Sequence, residues 1–180
     1  KQYQPDARIL MIEKGNSIEK RKCPKRTTGV CVKCDPCAIT TGFSGSGSFS
    51  DGKLSISYDG EVGGDLIKYI GVEPFRRLLE YTDDIYLRFG ADPEVHGIDT
   101  NGRVDLIRRR AAQSHLKLIE SGVRHMGTEK AYDIYARIQK ALEALEIEMC
   151  FRTLVTDFLI ESDGDGQKKI VGVITEDGHR

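Results

Sequence analysis

Ile9-Leu10-Met11-Ile12-Glu13-Lys14-Gly15 is the stretch on which the reading of the fold turns. A short apolar run, opened by Pro5-Asp6 and closed by Lys14-Gly15, has the pattern of a buried strand, and a strand is predicted over 7–13. It ends in an acid. In a dinucleotide-binding fold the second strand ends this way, because its carboxylate accepts hydrogen bonds from the two ribose hydroxyls of the adenosine. Glu13 stands where that acid belongs. The companion motif, G-x-G-x-x-G, should lie about 20 residues earlier. Only twelve residues precede Glu13, and none is Gly. Either Glu13 is not a ribose ligand or the first strand lies outside this chain. A start without Met, four residues before a Pro-Asp turn, reads as a cut within a longer protein.

Outward from this strand, residues 16–52 are rich in Gly, Ser, Thr, Pro and Cys and are predicted as a long loop, a length that is usually functional. Alternation of Leu54 and Ile56 with polar residues predicts a short strand over 53–57. Phe75, Leu78, Leu79, Thr82, Ile85, Tyr86 and Phe89 recur at helical spacing, with Pro74 in the first turn and Gly90 after the end, and predict a helix over 73–89. A second helix is expected over about 102–115. The clearest helix begins at Thr128, a plausible N-cap, with the stripe Ala131, Ile134, Tyr135, Ile138, Leu142 and Leu145. Residues 149–160 read as one long strand and 170–175 as its hairpin partner. The fold class expected is α/β in the parent protein and α+β within this chain.

Two clusters carry chemistry. The first is Gly42-Phe43-Ser44-Gly45-Ser46-Gly47-Ser48-Phe49-Ser50-Asp51-Gly52-Lys53-Leu54, whose glycines let the backbone approach a ligand and offer N–H donors to an anion. It is not a Walker A loop, since Leu54 follows the Gly-Lys, and it does not open a helix. Composition alone suits a flexible Ser-Gly loop, but Phe43 and Phe49 are unlike a pure linker. The second cluster is Cys23, Cys31, Cys34 and Cys37, spaced C-x7-C-x2-C-x2-C. Four neighbouring thiolates suit tetrahedral zinc, or an iron–sulfur cluster, although the spacing matches neither standard pattern; free thiols in an ordered loop are the other reading. Lys22, Lys25, Arg26 and Lys33 would stabilise thiolates. The Asp163-Gly164-Asp165-Gly166 run lacks the twelfth-position acid of a calcium loop (Ile174 stands there). The four histidines have no ligand spacing.

Composition narrows the classes. With 39% hydrophobic and 31% charged residues the chain is globular, and a net charge of −1 gives no bulk attraction to nucleic acid or anionic membrane. No apolar run approaches the ~20 residues of a membrane helix. The polar start has no signal peptide, so a cytoplasmic location, with metal-bound or reduced cysteines, is expected.

Together these residues resemble the bacterial uncharacterised FAD-dependent dehydrogenases, flavoproteins with glutathione-reductase-like FAD domains. The resemblance runs through 9–15, Arg21-Lys22-Cys23-Pro24, Cys31, Cys34 and Cys37, and 42–54. It continues in Gly63-Gly64, Arg124-His125-Met126-Gly127-Thr128-Glu129, 151–155 and Val171-Gly172-Val173-Ile174-Thr175-Glu176-Asp177-Gly178. It implies a partial Rossmann-like FAD-binding domain, with a β-hairpin, over 1–59 and 127–180, and a mostly helical, substrate-side insert over 60–126. It implies that Glu13 holds the adenosine ribose and that Val155 meets adenine through its backbone. Gly45, Gly47, Ser50, Asp51 and Lys53 would lie near the pyrophosphate or flavin ring, and Arg21 near the cofactor. The family's first strand and its late ribitol-binding Gly-Asp motif are missing. The expectation is therefore a fragment of an FAD-dependent oxidoreductase, acting on an unknown small-molecule substrate, that binds FAD poorly and is inactive alone. The alternative is a metal-stabilised binding module without activity. A sheet edge left open by missing strands invites pairing, so a homodimer is expected.

Overall fold

The computed structural model describes every residue except Gln2, Ser50, Asp51, 58–64, 99–101, Asp163 and Arg180, together with the side chains of Thr128 and Glu129. Its elements in chain order are β1 (Leu10–Glu13), α1 (Lys25–Thr28), β2 (Lys53–Ser55), α2 (Leu66–Ile70), α3 (Val72–Arg88), α4 (Arg103–Gln113), β3 (Val123–His125), α5 (Thr128–Ala144), β4 (Glu148–Phe151), β5 (Val155–Ser162) and β6 (Lys168–Thr175). The chain is a mixed α and β protein, built from small two-stranded sheets. Among the described residues no helix is long and apolar enough to cross a membrane.

The chain divides into two packed units, 1–46 with 135–180, and 47–134, and the division falls inside α5. In the first unit, β1 and β4 pair in parallel, Leu10 with Glu148 through Glu13 with Phe151. Parallel neighbours need a long crossover, and here α5 delivers the chain to β4. Just past the strand ends two further backbone bonds join the segments, Thr153 N–H to Glu13 O (3.0 Å) and Arg152 N–H to Gly15 O (2.8 Å). The expectation that β1 is buried is not met in full: Leu10 is 57% exposed, because a two-stranded sheet leaves much of its surface to water. The stripe on α5 points inward at Ala131 and Ile134, and Ile138 and Leu142 are half-buried. Leu145 lies past the helix end and is half exposed, so the stripe stops one turn earlier than its spacing suggests. On the same helix Gln139 is buried; its Oε1 accepts the Ile18 N–H (2.8 Å) and its Nε2 donates to Glu143 (2.8 Å) and Glu19 (3.2 Å).

The single strand expected over 149–160 is two strands. Arg152 adopts φ 58°, in the left-handed region, and turns the chain out of the parallel pair. Val155 then opens an antiparallel hairpin with β6, irregular between Val155 and Asp157 and again between Leu159 and Ile160.

In the second unit, the middle of the chain is not helical throughout. β3 pairs antiparallel with β2, Lys53 with His125 and Ser55 with Val123, and this pairing groups 47–57 with the middle segment. α3 follows its expected register, with Phe75 buried, although Leu78 is 52% exposed. Gly90, at φ 101°, closes its C-terminus, and the short α2 ahead of it carries no clear periodic signal. The buried Arg124 on β3 donates through Nε and Nη2 to the two carboxylate oxygens of Asp83 (2.6 and 2.7 Å), and through Nη1 to the Asp92 carbonyl. The carboxylate holds the guanidinium pKa above its ordinary value. Asp83→Ala would leave a buried cation with carbonyl partners only. A loss of about 2–3 kcal/mol is expected, and thermal unfolding would read it; a melting point unchanged from wild type would contradict this account.

Candidate functional site

The C-terminal ends of β1 and β4 collect the residues that matter. In parallel sheets ligands bind outside these ends, where the strands release their loops. Glu13 stands at the last position of β1, half-buried. Its Oε1 accepts the backbone N–H of Gly15 at 2.7 Å, which fixes the carboxylate against the turn. Among the described residues its second oxygen, Oε2, accepts no hydrogen bond. Beside this end lies a cleft of about 220 Å³ lined by Lys14, Asp35, Pro36, Arg152, Leu154 and Glu176. A larger hollow of about 460 Å³ lies at the opposite, N-terminal ends of the same strands, between Lys1, Arg8, Ile9, Leu10, Glu146 and Glu148. We place the candidate site at the smaller cleft, because it lies where the strands release their loops and is lined by Lys14, the chain neighbour of Glu13, although not by Glu13 itself.

Val155 lies two residues beyond Thr153, whose N–H is bound to Glu13 O, and so follows directly from the chain beside β1. Leu154 and Glu176 are joined by a backbone bond (2.9 Å), which brings the base of the hairpin to the same cleft. Val155 does not itself line the cleft. Asp35 and Pro36 carry no signal in the sequence, the pairing of β1 with β4 brings Lys14 and Arg152 together, and the bond to Leu154 brings Glu176.

Arg21 faces inward. It is 3% exposed and donates through Nε to Ala38 O (3.0 Å), through Nη1 to Phe43 O (2.6 Å) and through Nη2 to Ile39 O (2.7 Å). Burial lowers its pKa, and the negative charges of Glu13 and Cys37 oppose that shift. Its contacts make it the tie that holds the loop 38–43. Gly15 and Gly42 meet under this tie. A Cβ on Gly15 would stand 2.5 Å from Gly42 N and 2.6 Å from Gly42 Cα. The chain there is joined by the Phe43 N–H to Asn16 O bond (3.0 Å).

The glycine-rich loop is a 3₁₀ turn over Gly45–Phe49. Gly45 belongs to the first unit, adopts φ 58° and has open space on its Cβ side. Gly47 and Lys53 belong to the second unit; Gly47 is half-buried in the turn, and Lys53 is exposed at the start of β2. Ser50 and Asp51 lie outside the described residues.

The cysteines are all free. Cys23 is half-buried, and Cys31, Cys34 and Cys37 are exposed. Among the described residues no three His, Cys, Asp or Glu side chains form a group able to hold a metal ion. Cys37 differs from the others. The backbone N–H groups of Ile39 and Thr40, the Thr40 hydroxyl and the Arg21 charge lower its thiol pKa below the ordinary value.

Neither protein-family models nor curated proteins give a match to this chain.

Proposed function

We propose that the chain is part of an FAD-dependent oxidoreductase and that the C-terminal edge of β1 and β4 takes the adenosine half of the cofactor. The observation that carries this reading is the carboxylate of Glu13. It stands at the C-terminal end of a strand in a parallel pair, is oriented by the Gly15 N–H, and has one oxygen without a partner among the described residues. A carboxylate so placed can accept from a ribose hydroxyl, and a charge-assisted bond of this kind is stronger than a neutral one. The order of β1, crossover, α5 and β4 is also that of a partial Rossmann-like domain interrupted by an insert.

The residues present fit the group in part. A cleft of about 220 Å³ falls below the usual volume of a site for a whole cofactor, and it is lined by Lys14 and Leu154, the chain neighbours of Glu13 and Val155, so only a part of the cofactor is expected at this edge. FAD, when bound, supplies the hydride or electron transfer. The chain's own residues hold the adenosine end, with Glu13 on the ribose and the backbone around Val155 beside the adenine. The 180 residues alone are accordingly expected to purify without flavin colour.

The test uses adenosine diphosphate as the probe, titrated into the chain while backbone amide signals are followed by NMR. Shifts are expected at Lys14, Gly15, Leu154 and Val155. Glu13→Gln is expected to weaken binding by about tenfold or more, since about 1.4 kcal/mol corresponds to a factor of ten. Binding elsewhere on the molecule, or affinity unchanged in Glu13→Gln, would remove the basis of the reading.

A further inference from the structure

The larger hollow, at the N-terminal ends of β1 and β4, plays no part in the nucleotide reading. Its volume of about 460 Å³ lies within the range of small-molecule sites, and all of its lining belongs to the unit formed by 1–46 and 135–180. The strand pairing builds it. Leu10 stands level with Glu148, and the Glu148 N–H donates to Ile9 O (3.1 Å), so the start of β4 lies beside the chain that enters β1.

Three kinds of group meet there. Arg8 is a cation, Glu146 and Glu148 are anions, and Ile9 and Leu10 are apolar, 36% and 57% exposed. Among the described residues the side chains of Arg8, Glu146 and Glu148 make no hydrogen bond or ion pair. Opposite charges that line one hollow without closing on each other can each take a partner from a ligand. Lys1, the remaining lining residue, donates through Nζ to Pro5 O (3.1 Å). Glu146 also stands against two local preferences. Just past the end of α5 it adopts φ 57°, while its N–H donates to Glu143 O (2.9 Å) and the Ile147 N–H reaches back to Leu142 O (3.3 Å). This position ordinarily falls to Gly or Asn, because a Cβ is crowded there. Its carboxylate is also an anion at the negative end of the helix dipole. A glutamate at this point stabilises nothing in the helix, but its side chain lines the hollow.

We propose that the hollow binds a small aliphatic zwitterion, an amino acid with a branched apolar side chain. Its carboxylate pairs with the Arg8 guanidinium, whose planar fork suits that group. Its ammonium, with three donors, pairs with Glu146 and Glu148, and its side chain lies on Ile9 and Leu10. The proposal requires neither Glu13 nor the cleft at the opposite strand ends, so it stands or falls separately from the nucleotide reading.

The test titrates L-leucine into the 180-residue chain and follows backbone amide signals by NMR. Isocaproate, which lacks the ammonium, and isoamylamine, which lacks the carboxylate, are the paired probes. Leucine is expected to shift the amides of Ile9, Leu10, Ile147 and Glu148, and each single-charge probe to bind about tenfold or more weakly. Arg8→Gln is expected to weaken leucine to the level of isoamylamine, while isoamylamine binds no less tightly than before. Glu148→Gln is expected to weaken leucine and isoamylamine and to leave isocaproate unchanged. Glu146→Gly is expected to weaken leucine several-fold yet to raise the melting temperature by about 2 °C, since the backbone there suits glycine. No shift at these amides with leucine in large excess would overturn the proposal. Equal binding of all three probes would overturn it as well, since the hollow would then recognise no charge. So would isoamylamine binding as tightly as leucine, the mark of a plain cation site, or leucine affinity unchanged in Arg8→Gln or Glu148→Gln.

Discussion

Arg21→Met is expected to destabilise the unit formed by 1–46 and 135–180 by about 4 kcal/mol, most of the stability of a modest domain. Methionine fills a comparable volume, so the loss reports the polar contacts. Arg21 is almost fully enclosed and ties three carbonyls, those of Ala38, Ile39 and Phe43, into one loop. A hydrogen bond to a charged group contributes about 1.5–3 kcal/mol, and a carbonyl left buried without a donor costs a similar amount. The sum is discounted because Ala38 and Ile39 are half-exposed and water can reach them. Arg21→Lys keeps the charge but not the fork, and an intermediate loss is expected because one ammonium cannot reach all three oxygens. Hydrogen exchange of the β1 and β4 amides is the suitable readout, because the chain has two units and one global transition need not describe both. Protection unchanged to within about 1 kcal/mol in the Met variant would mean that the loop is held by something else.

The second large effect is expected at Gly15. Gly15→Ala places a methyl group 2.5–2.6 Å from three backbone atoms, Gly42 N, Gly42 Cα and Thr41 C. Side chains can rotate away from a clash, but backbone cannot, and restoring van der Waals distance requires a displacement of about 1 Å. That displacement would pull on the Phe43 N–H to Asn16 O bond and on the Arg21 tie to Phe43 together. A loss of about 3–5 kcal/mol is expected, at the upper end of what single substitutions cost. Gly164→Ala serves as the control. Nothing stands within 4 Å of its added Cβ, so a change within about 0.5 kcal/mol is expected. Similar losses from both substitutions would show that the contact between Gly15 and the 41–42 backbone is not what the sequence protects. Because Gly15 N–H also orients the Glu13 carboxylate, the alanine variant is expected to weaken adenosine diphosphate binding along with stability.

The elements that could be read locally were those whose signal is carried by their own residues. α3 and α5 announced themselves because apolar residues recur every three or four positions, and Gly90 stands just past the end of α3; the Thr128 side chain, expected to cap α5, lies outside the described residues. β1 was visible as an apolar run between turn residues, and its type held even though Leu10 proved exposed. β3 was not visible. Three residues, Val123, Arg124 and His125, have no period of their own, and they form a strand because β2 and His96 supply the pairing. The break at Arg152 was equally hidden. No residue preference marks an arginine for the left-handed region; the turn follows from β4 being held by β1 while β5 is held by β6.

The candidate site divides the same way. Glu13 could be singled out from sequence because an acid closing an apolar strand is a local pattern, and the cysteines because four within fifteen residues form a cluster wherever they fold. Sequence by itself thus determined the type of the strongly patterned elements α3, α5 and β1, the acid at the strand end and the set of available thiols, all properties of neighbouring residues along the chain. The tertiary structure alone decided that Glu13 lies beside Phe151, that Lys14, Arg152 and Glu176 share a cleft, and that Arg21 turns inward to hold a loop. Those outcomes rest on hydrogen bonds and contacts between distant segments. Their energies depend on which backbone groups are brought together and shielded from water, and that information is not carried by any one stretch of the chain.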